Sequence, residues 1–85
     1  GTLYNLMGCC SLELDKASDA VDYFKKAQED ENNSDKLAQE ISYNLIAAYE
    51  QSGDYDNAKT QLKAYVDKYP DDEKAQKDYD FWSTR

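Results

Sequence analysis

The 85-residue chain contains no histidine, one proline, three glycines, two cysteines and one tryptophan. Without histidine it lacks the side chain used most often as a general base near neutral pH, and no nucleophile stands beside a candidate base or in a recognisable elbow. The expectation is therefore a protein that is not an enzyme and uses no cofactor and no metal. The two cysteines, Cys9 and Cys10, are adjacent and too few to staple a small secreted domain. A disulfide between helical neighbours would strain the backbone, and no third cysteine is there to resolve it, so one packed thiol and one groove-facing thiol is the plainer expectation. The cysteines define no compartment. A cytoplasmic one is the default, with any signal or anchor upstream of Gly1, whose place at the start without an initiator methionine fits a boundary inside a longer polypeptide. Apolar runs extend only a few residues, which leaves no secretory core and no membrane span. Ten basic residues against eighteen acidic give a net charge of -8, which repels nucleic-acid phosphates and anionic membranes alike.

What is present is one small domain's worth of chain, with 13% aromatic residues, eight of them tyrosines, too many for disorder. Apolar residues recur at helical rather than strand spacing, so the fold class is all-α, with five helices. The first is expected from about Thr2 to Leu14. A second, from about Ser18 to Glu31, buries Ala17, Ala20, Val21, Phe24 and Ala27. The segment from Glu31 to Ser34 breaks the pattern, and Ser34 is placed to cap a third helix that runs to about Ser52 with Leu37, Ile41, Leu45 and Ala48 on one stripe. Gly53 ends it. A fourth helix, Tyr55 to about Tyr69, is expected to bury Tyr55, Ala58, Leu62, Tyr65 and Val66 before Pro70 stops it. Asp71, Asp72 and Glu73 are expected in the first turn of a last helix whose stripe is Ala75, Tyr79 and Trp82. Short linkers make neighbouring helices antiparallel, giving two hairpins and a lone fifth helix.

An internal repeat underlies this order. Ala20 and Ala58 stand 38 residues apart, Gly8 answers Ile46, Ser11 answers Tyr49, and Phe24 answers Leu62. The run Tyr43-Asn44-Leu45, Tyr49, Gly53-Asp54-Tyr55, Ala58, Leu62 and Tyr69-Pro70 resembles the tetratricopeptide repeat, in which an aromatic, a Leu-Gly pair, a tyrosine, an alanine, an aromatic and a proline recur at fixed spacing. Tyr4, Met7, Gly8, Ala20, Phe24 and Ala27 form a more degenerate copy, with Ser11 where tyrosine is usual and no proline near Asn32. The resemblance covers about Thr2 to Asp72. It implies antiparallel hairpins stacked as a right-handed α-solenoid, divided into a degenerate hairpin over residues 2–33, a hairpin with a longer first helix over 34–70, and a capping helix over 71–83. The 38-residue period exceeds the family's 34 by about one helical turn, expected to lengthen the second or third helix within Asp30 to Gln39. Ile46 and Tyr65 stand where the family has small residues, so the second hairpin is expected to splay or shift.

The same resemblance implies a protein–protein interaction module, a scaffold or adaptor whose concave side is lined by the first helix of each hairpin. The groove residues it assigns are Asn5, Cys9 and Glu13 from the first helix, and Glu40, Tyr43, Asn44, Ala47, Glu50 and Gln51 from the third. Their mixture of aromatic, amide and acidic groups suits a peptide or helix of another protein, with Tyr43 as anchor and the carboxylates favouring a basic partner. An ordinary solvated helix face competes with that reading on nearly equal terms. A clamp for a partner's terminal carboxylate, known in this family, retains Asn44 and Lys74 but has Asn5, Cys9 and Asp78 at its other positions, and is rejected. The carboxylates of Glu29-Asp30-Glu31 and Asp71-Asp72-Glu73 lack the alternating ligand spacing of a calcium loop, and Asp54-Tyr55-Asp56 begins that spacing without its later glycine. Two alternatives remain: the end of a longer array or a segment that pairs with itself as a homodimer, for which Phe81 is the candidate residue, and a regulatory segment of a larger enzyme.

Overall fold

The computed structural model describes the backbone of residues 2–83 and the side chains of residues 2–81. Among the described residues there are five helices and no strand: α1 (Thr2–Glu13), α2 (Ala17–Gln28), α3 (Asp35–Ser52), α4 (Tyr55–Lys68) and α5 (Glu73–Ser83). Each helix packs against the next, and α1 also meets α3, so the hairpins α1–α2 and α3–α4 stack in sequence and α5 closes against α4. The architecture is a helical repeat solenoid.

The 38-residue register extends to the backbone of the turns. Gly53 ends α3 in the left-handed region at φ 85°, where its N–H donates to Glu50 O and the Asp54 N–H to Tyr49 O. Thirty-eight residues earlier, Asp15 holds the same conformation at φ 59°, its N–H donating to Leu12 O and that of Lys16 to Ser11 O. Both hairpins therefore turn through the same pair of bonds that terminates a helix, with glycine in one and an aspartate, among the few side chains that tolerate this region, in the other.

Local side-chain bonds set the other boundaries, often a few residues from where spacing alone places them. Ser34 Oγ accepts from the Leu37 N–H and caps α3 as expected. By contrast, α2 ends at Gln28 rather than near Glu31, because Asn33 Nδ2 donates to Ala27 O at 2.7 Å and the Asn32 N–H to Asp30 Oδ1. Asp71 and Asp72 precede α5 instead of lying in its first turn, and Asp72 Oδ1 accepts from the Ala75 N–H. The added turn lies in α3, which has 18 residues against 12 in α2.

Two hydrophobic clusters fill the stack. Ala20, Val21, Phe24, Leu45, Ala48, Tyr49 and Ala58 form the first, and Ile46, Leu62, Tyr65, Val66 and Ala75 the second. The expected burial of Tyr55 is a misreading: it is 53% exposed, because it opens α4 beyond the reach of either cluster. Tyr79 is half-buried against the second cluster, and the Trp82 side chain lies outside the described residues.

The repeat-equivalent pairs Gly8/Phe24 and Ile46/Leu62 exchange size. A Cβ on Gly8 would lie 2.5 Å from Phe24 Cε1, so the full ring fits only because glycine faces it. In the second hairpin the smaller Leu62 leaves room for Ile46, and both are buried, so Ile46 does not force the hairpin open. Since close-packed cores penalise overfilling as they penalise voids, Gly8→Ala is expected to destabilise by about 1–2 kcal/mol despite its better helix propensity. Phe24→Leu introduced with it is expected to recover part of that loss by imitating the second hairpin. Urea melts of the single and double variants measure the coupling directly.

Candidate functional site

The residues assigned to the groove divide into a seam and a cleft. Along the seam, Asn44 Nδ2 on α3 donates to Asn5 Oδ1 on α1 at 3.0 Å and approaches Cys9 Sγ at 3.7 Å. Asn5 is only 5% exposed, so it holds two hairpins together and is not on the open surface where the sequence places it. Gln51 Nε2 similarly donates to Leu12 O and Asp15 Oδ1, tying the end of α3 to the turn after α1. Cys9 is half-buried beneath this seam, while Cys10 and Glu13 are exposed. Burial first, and then the nearby Glu40, Cys10 and Glu13, pushes the Cys9 thiol up from its ordinary pKa, which disfavours the thiolate.

Of the remaining groove residues, Glu40 and Tyr43 face a cleft of about 530 Å³ between α3, α4 and the start of α5, lined by Lys36, Gln39, Glu40, Tyr43, Asn44, Tyr65, Asp72 and Lys74. Its floor is aromatic. The Tyr43 ring meets Tyr65 edge-on with centroids 5.8 Å apart, and Tyr65 in turn lies 4.8 Å from Tyr69. Its wall is a hydrogen-bond relay: Gln39 Nε2 donates to the Tyr65 hydroxyl at 2.9 Å, and that hydroxyl donates to Asp72 Oδ2 at 2.7 Å. Burial, followed by the bond to Asp72, pushes the Tyr65 hydroxyl up to about 12, so it stays protonated and donating. The same bond is the main reason that the Asp72 carboxyl is held below its ordinary value, with the Ala75 N–H adding to it.

Further along α3, Tyr43, Ile46, Ala47, Glu50 and Asp78 enclose a narrow crevice of about 40 Å³. Burial there, then the neighbouring Asp78 charge, pushes the Glu50 carboxyl above its usual value. Across the cleft, Lys74 on α5 sets its Nζ 5.4 Å from the centre of the Tyr43 ring. The Glu40 side chain is exposed at the mouth, whereas Tyr43, Asn44, Ala47 and Glu50 are half-buried. Phe81 stands apart from this surface, 52% exposed near the end of α5.

Three residues that shape the cleft, Gln39, Tyr65 and Asp72, were not legible as site residues. Spacing assigns Tyr65 to the core and Asp72 to a solvated helix start. The available signal was Tyr65 itself, a hydroxyl-bearing ring at a small-residue position, which on burial requires a partner.

Stacked helical hairpins with an open face along their first helices define a helical repeat protein. A family model for the tetratricopeptide repeat matches residues 11–77, most of the chain, and the chain belongs to that family. Neither a curated protein nor a solved structure matches it. Repeats of this family are non-catalytic and mediate protein–protein interaction. Among the described residues, no helix is long and apolar enough to cross a membrane.

Tyr65→Phe removes the hydroxyl that joins α3 to the head of α5, and is expected to cost about 1–2 kcal/mol. Because the folded pKa of Asp72 is depressed, its contribution is present above the ordinary carboxylate range and is lost as pH falls through the depressed value. The stability gap between parent and variant is therefore expected to narrow on acidification below about pH 4. Thermal melts of both proteins from neutral to acid pH test the slope, and a gap constant with pH contradicts the assignment.

Proposed function

We propose that this chain is a non-enzymatic interaction module, a scaffold or adaptor segment that takes a basic peptide or helix of another protein in the cleft between α3 and α5. Residues 2–33 and 34–70 act as its two hairpins and residues 71–83 as the helix that closes one side. The observation that carries this reading is the cleft itself, where an aromatic floor of Tyr43 and Tyr65 is edged by Glu40 and Asp72, with Glu50 and Asp78 in the adjoining crevice, in a chain of net charge -8. Such a surface supplies an amphipathic anchor together with charge that steers a cationic partner and turns away nucleic acid and anionic lipid. Asn5, Asn44 and Gln51 serve the seam, Cys9 and Glu13 border it, and Ala47 gives the partner a shallow wall.

Affinity capture from lysate tests this, with the chain compared to a Tyr43→Ala, Glu40→Lys, Glu50→Lys variant whose seam is intact. Loss of a basic protein only with the variant is the expected result, and identical retained sets contradict the cleft as the binding surface.

A second reading, self-association or continuation of an array, has its own observation. Leu3, Leu6, Met7 and Cys10 are exposed on α1, and Leu14 is exposed in the turn just after it. The repeat equivalents of Leu3, Met7 and Cys10 are Ile41, Leu45 and Ala48, all fully buried. This favours α1 over Phe81 as the associating surface, since a single exposed ring is an ordinary surface feature and a continuous stripe is not. If copies pair through this stripe, sedimentation velocity at tens of micromolar shows a dimer that Leu6→Glu dissociates; a monomer at every concentration rejects it.

A further inference from the structure

We infer that the cleft contains a subsite for an alkylammonium or guanidinium group and that Lys74 of this chain occupies it, so that a basic partner binds by displacing the protein's own lysine. This rests on the cleft being the binding surface and goes on to name the group it takes and what controls access. Lys74 reaches from α5 across to α3, with its Nζ 5.4 Å from the Tyr43 ring centre. Tyr43 is backed edge-on by Tyr65, which fixes the ring whose face the ammonium uses. Carboxylates lie nearby: Glu40 and Asp72 line the same cleft, as does Lys36, and Asp78 adjoins Tyr43 in the crevice beside it. The interactions that keep Lys74 protonated come first from Tyr43 and then from Asp78 and Asp72, the same groups an incoming cation would meet.

Other lysines of this chain also lie over tyrosines, Lys25 on Tyr49, Lys26 on Tyr4 and Lys68 on Tyr69. Tyr49 and Tyr4 lie away from the cleft, and Tyr69 only backs Tyr65 without lining it. Lys74 is also exposed, so releasing it into water needs no rearrangement of the core. Exposed cation–π contacts are weak enough that a partner carrying several basic side chains outcompetes one tethered lysine. Without such a partner, the lysine covers an aromatic face that would otherwise attract apolar or weakly cationic material indiscriminately.

The test is fluorescence anisotropy with a labelled, N-acetylated hexa-arginine amide, titrated against the parent chain, Lys74→Met, Lys77→Met and Glu40→Lys. Lys77 is exposed on the same helix and lines no part of the cleft, so Lys77→Met reproduces the change in net charge alone. The expected result is that Lys74→Met binds about threefold more tightly than Lys77→Met, while Glu40→Lys weakens binding. Equal affinities for the two methionine variants, with Glu40→Lys still weakened, overturn the self-occupied subsite and leave the cleft reading standing. Peptide that fails to bind, or binds regardless of Glu40→Lys, overturns both.

Discussion

The Tyr65 hydroxyl positions α5, and the cleft depends on where α5 lies. It accepts from Gln39 on α3 and donates to Asp72, whose other oxygen accepts from the Ala75 N–H in the first turn of α5. One buried ring on α4 thus relates the helix that supplies one wall of the cleft to the helix that supplies the other. The connection is specific because both ends are demanding: a buried hydroxyl is costly unless bonded, and a carboxylate accepting from a phenol and a backbone amide has little freedom to turn. An alanine here would remove the polar link between α3, α4 and the head of α5, and apolar packing of Ala75 and Tyr79 constrains the distance of α5 from α4 far more than its rotation.

The other boundary of the concave face is fixed by different chemistry. Asn44 pairs with Asn5 and Gln51 with the carbonyl of Leu12, so α1 and α3 meet through amides, while the start of α5 is parted from α3 by the cleft. A side chain cannot at once satisfy a neighbouring helix and remain available to a partner. The face therefore sorts its polar residues: the amides of Asn5, Asn44 and Gln51 close the first interval, and the second stays open between carboxylates, lysines and tyrosines, with Gln39 committed to the Tyr65 hydroxyl.

Much of the fold was legible because it repeats. Spacing located all five helices, and the 38-residue period placed Ala20 and Ala58 in equivalent buried positions. The same period carries through to the left-handed residues Asp15 and Gly53, a match that composition conceals because only one of them is a glycine. Spacing could not place helix ends settled by single side chains, as with Asn33 on Ala27 O, nor separate buried from exposed tyrosines at a helix start, as with Tyr55. Of the site, the α3 residues were recoverable from one helical stripe. The relay through Gln39, Tyr65 and Asp72 was not, because it joins three elements through one hydroxyl whose direction depends on packing that no local pattern encodes.

The charge of the chain acts differently at the rim and at the floor of the cleft. At about 0.1 M salt the screening length is about 10 Å, so Glu40 and the other exposed carboxylates act mainly on how often a cation arrives and lose force as salt rises. Glu50 is half-buried with its carboxyl pushed above its usual value by burial and by Asp78, which means that this pair gains from an added positive charge what water supplies poorly. Tyr43 lies between these two regions, its ring open to the cleft on one side and adjoining Glu50 and Asp78 on the other. A cation over that ring is attracted by the π-face and by both sets of carboxylates at once, and the part of the attraction owed to the ring and the half-buried pair resists salt. For the proposed basic partner, net charge would accordingly govern encounter, and the local arrangement about Tyr43 would govern retention.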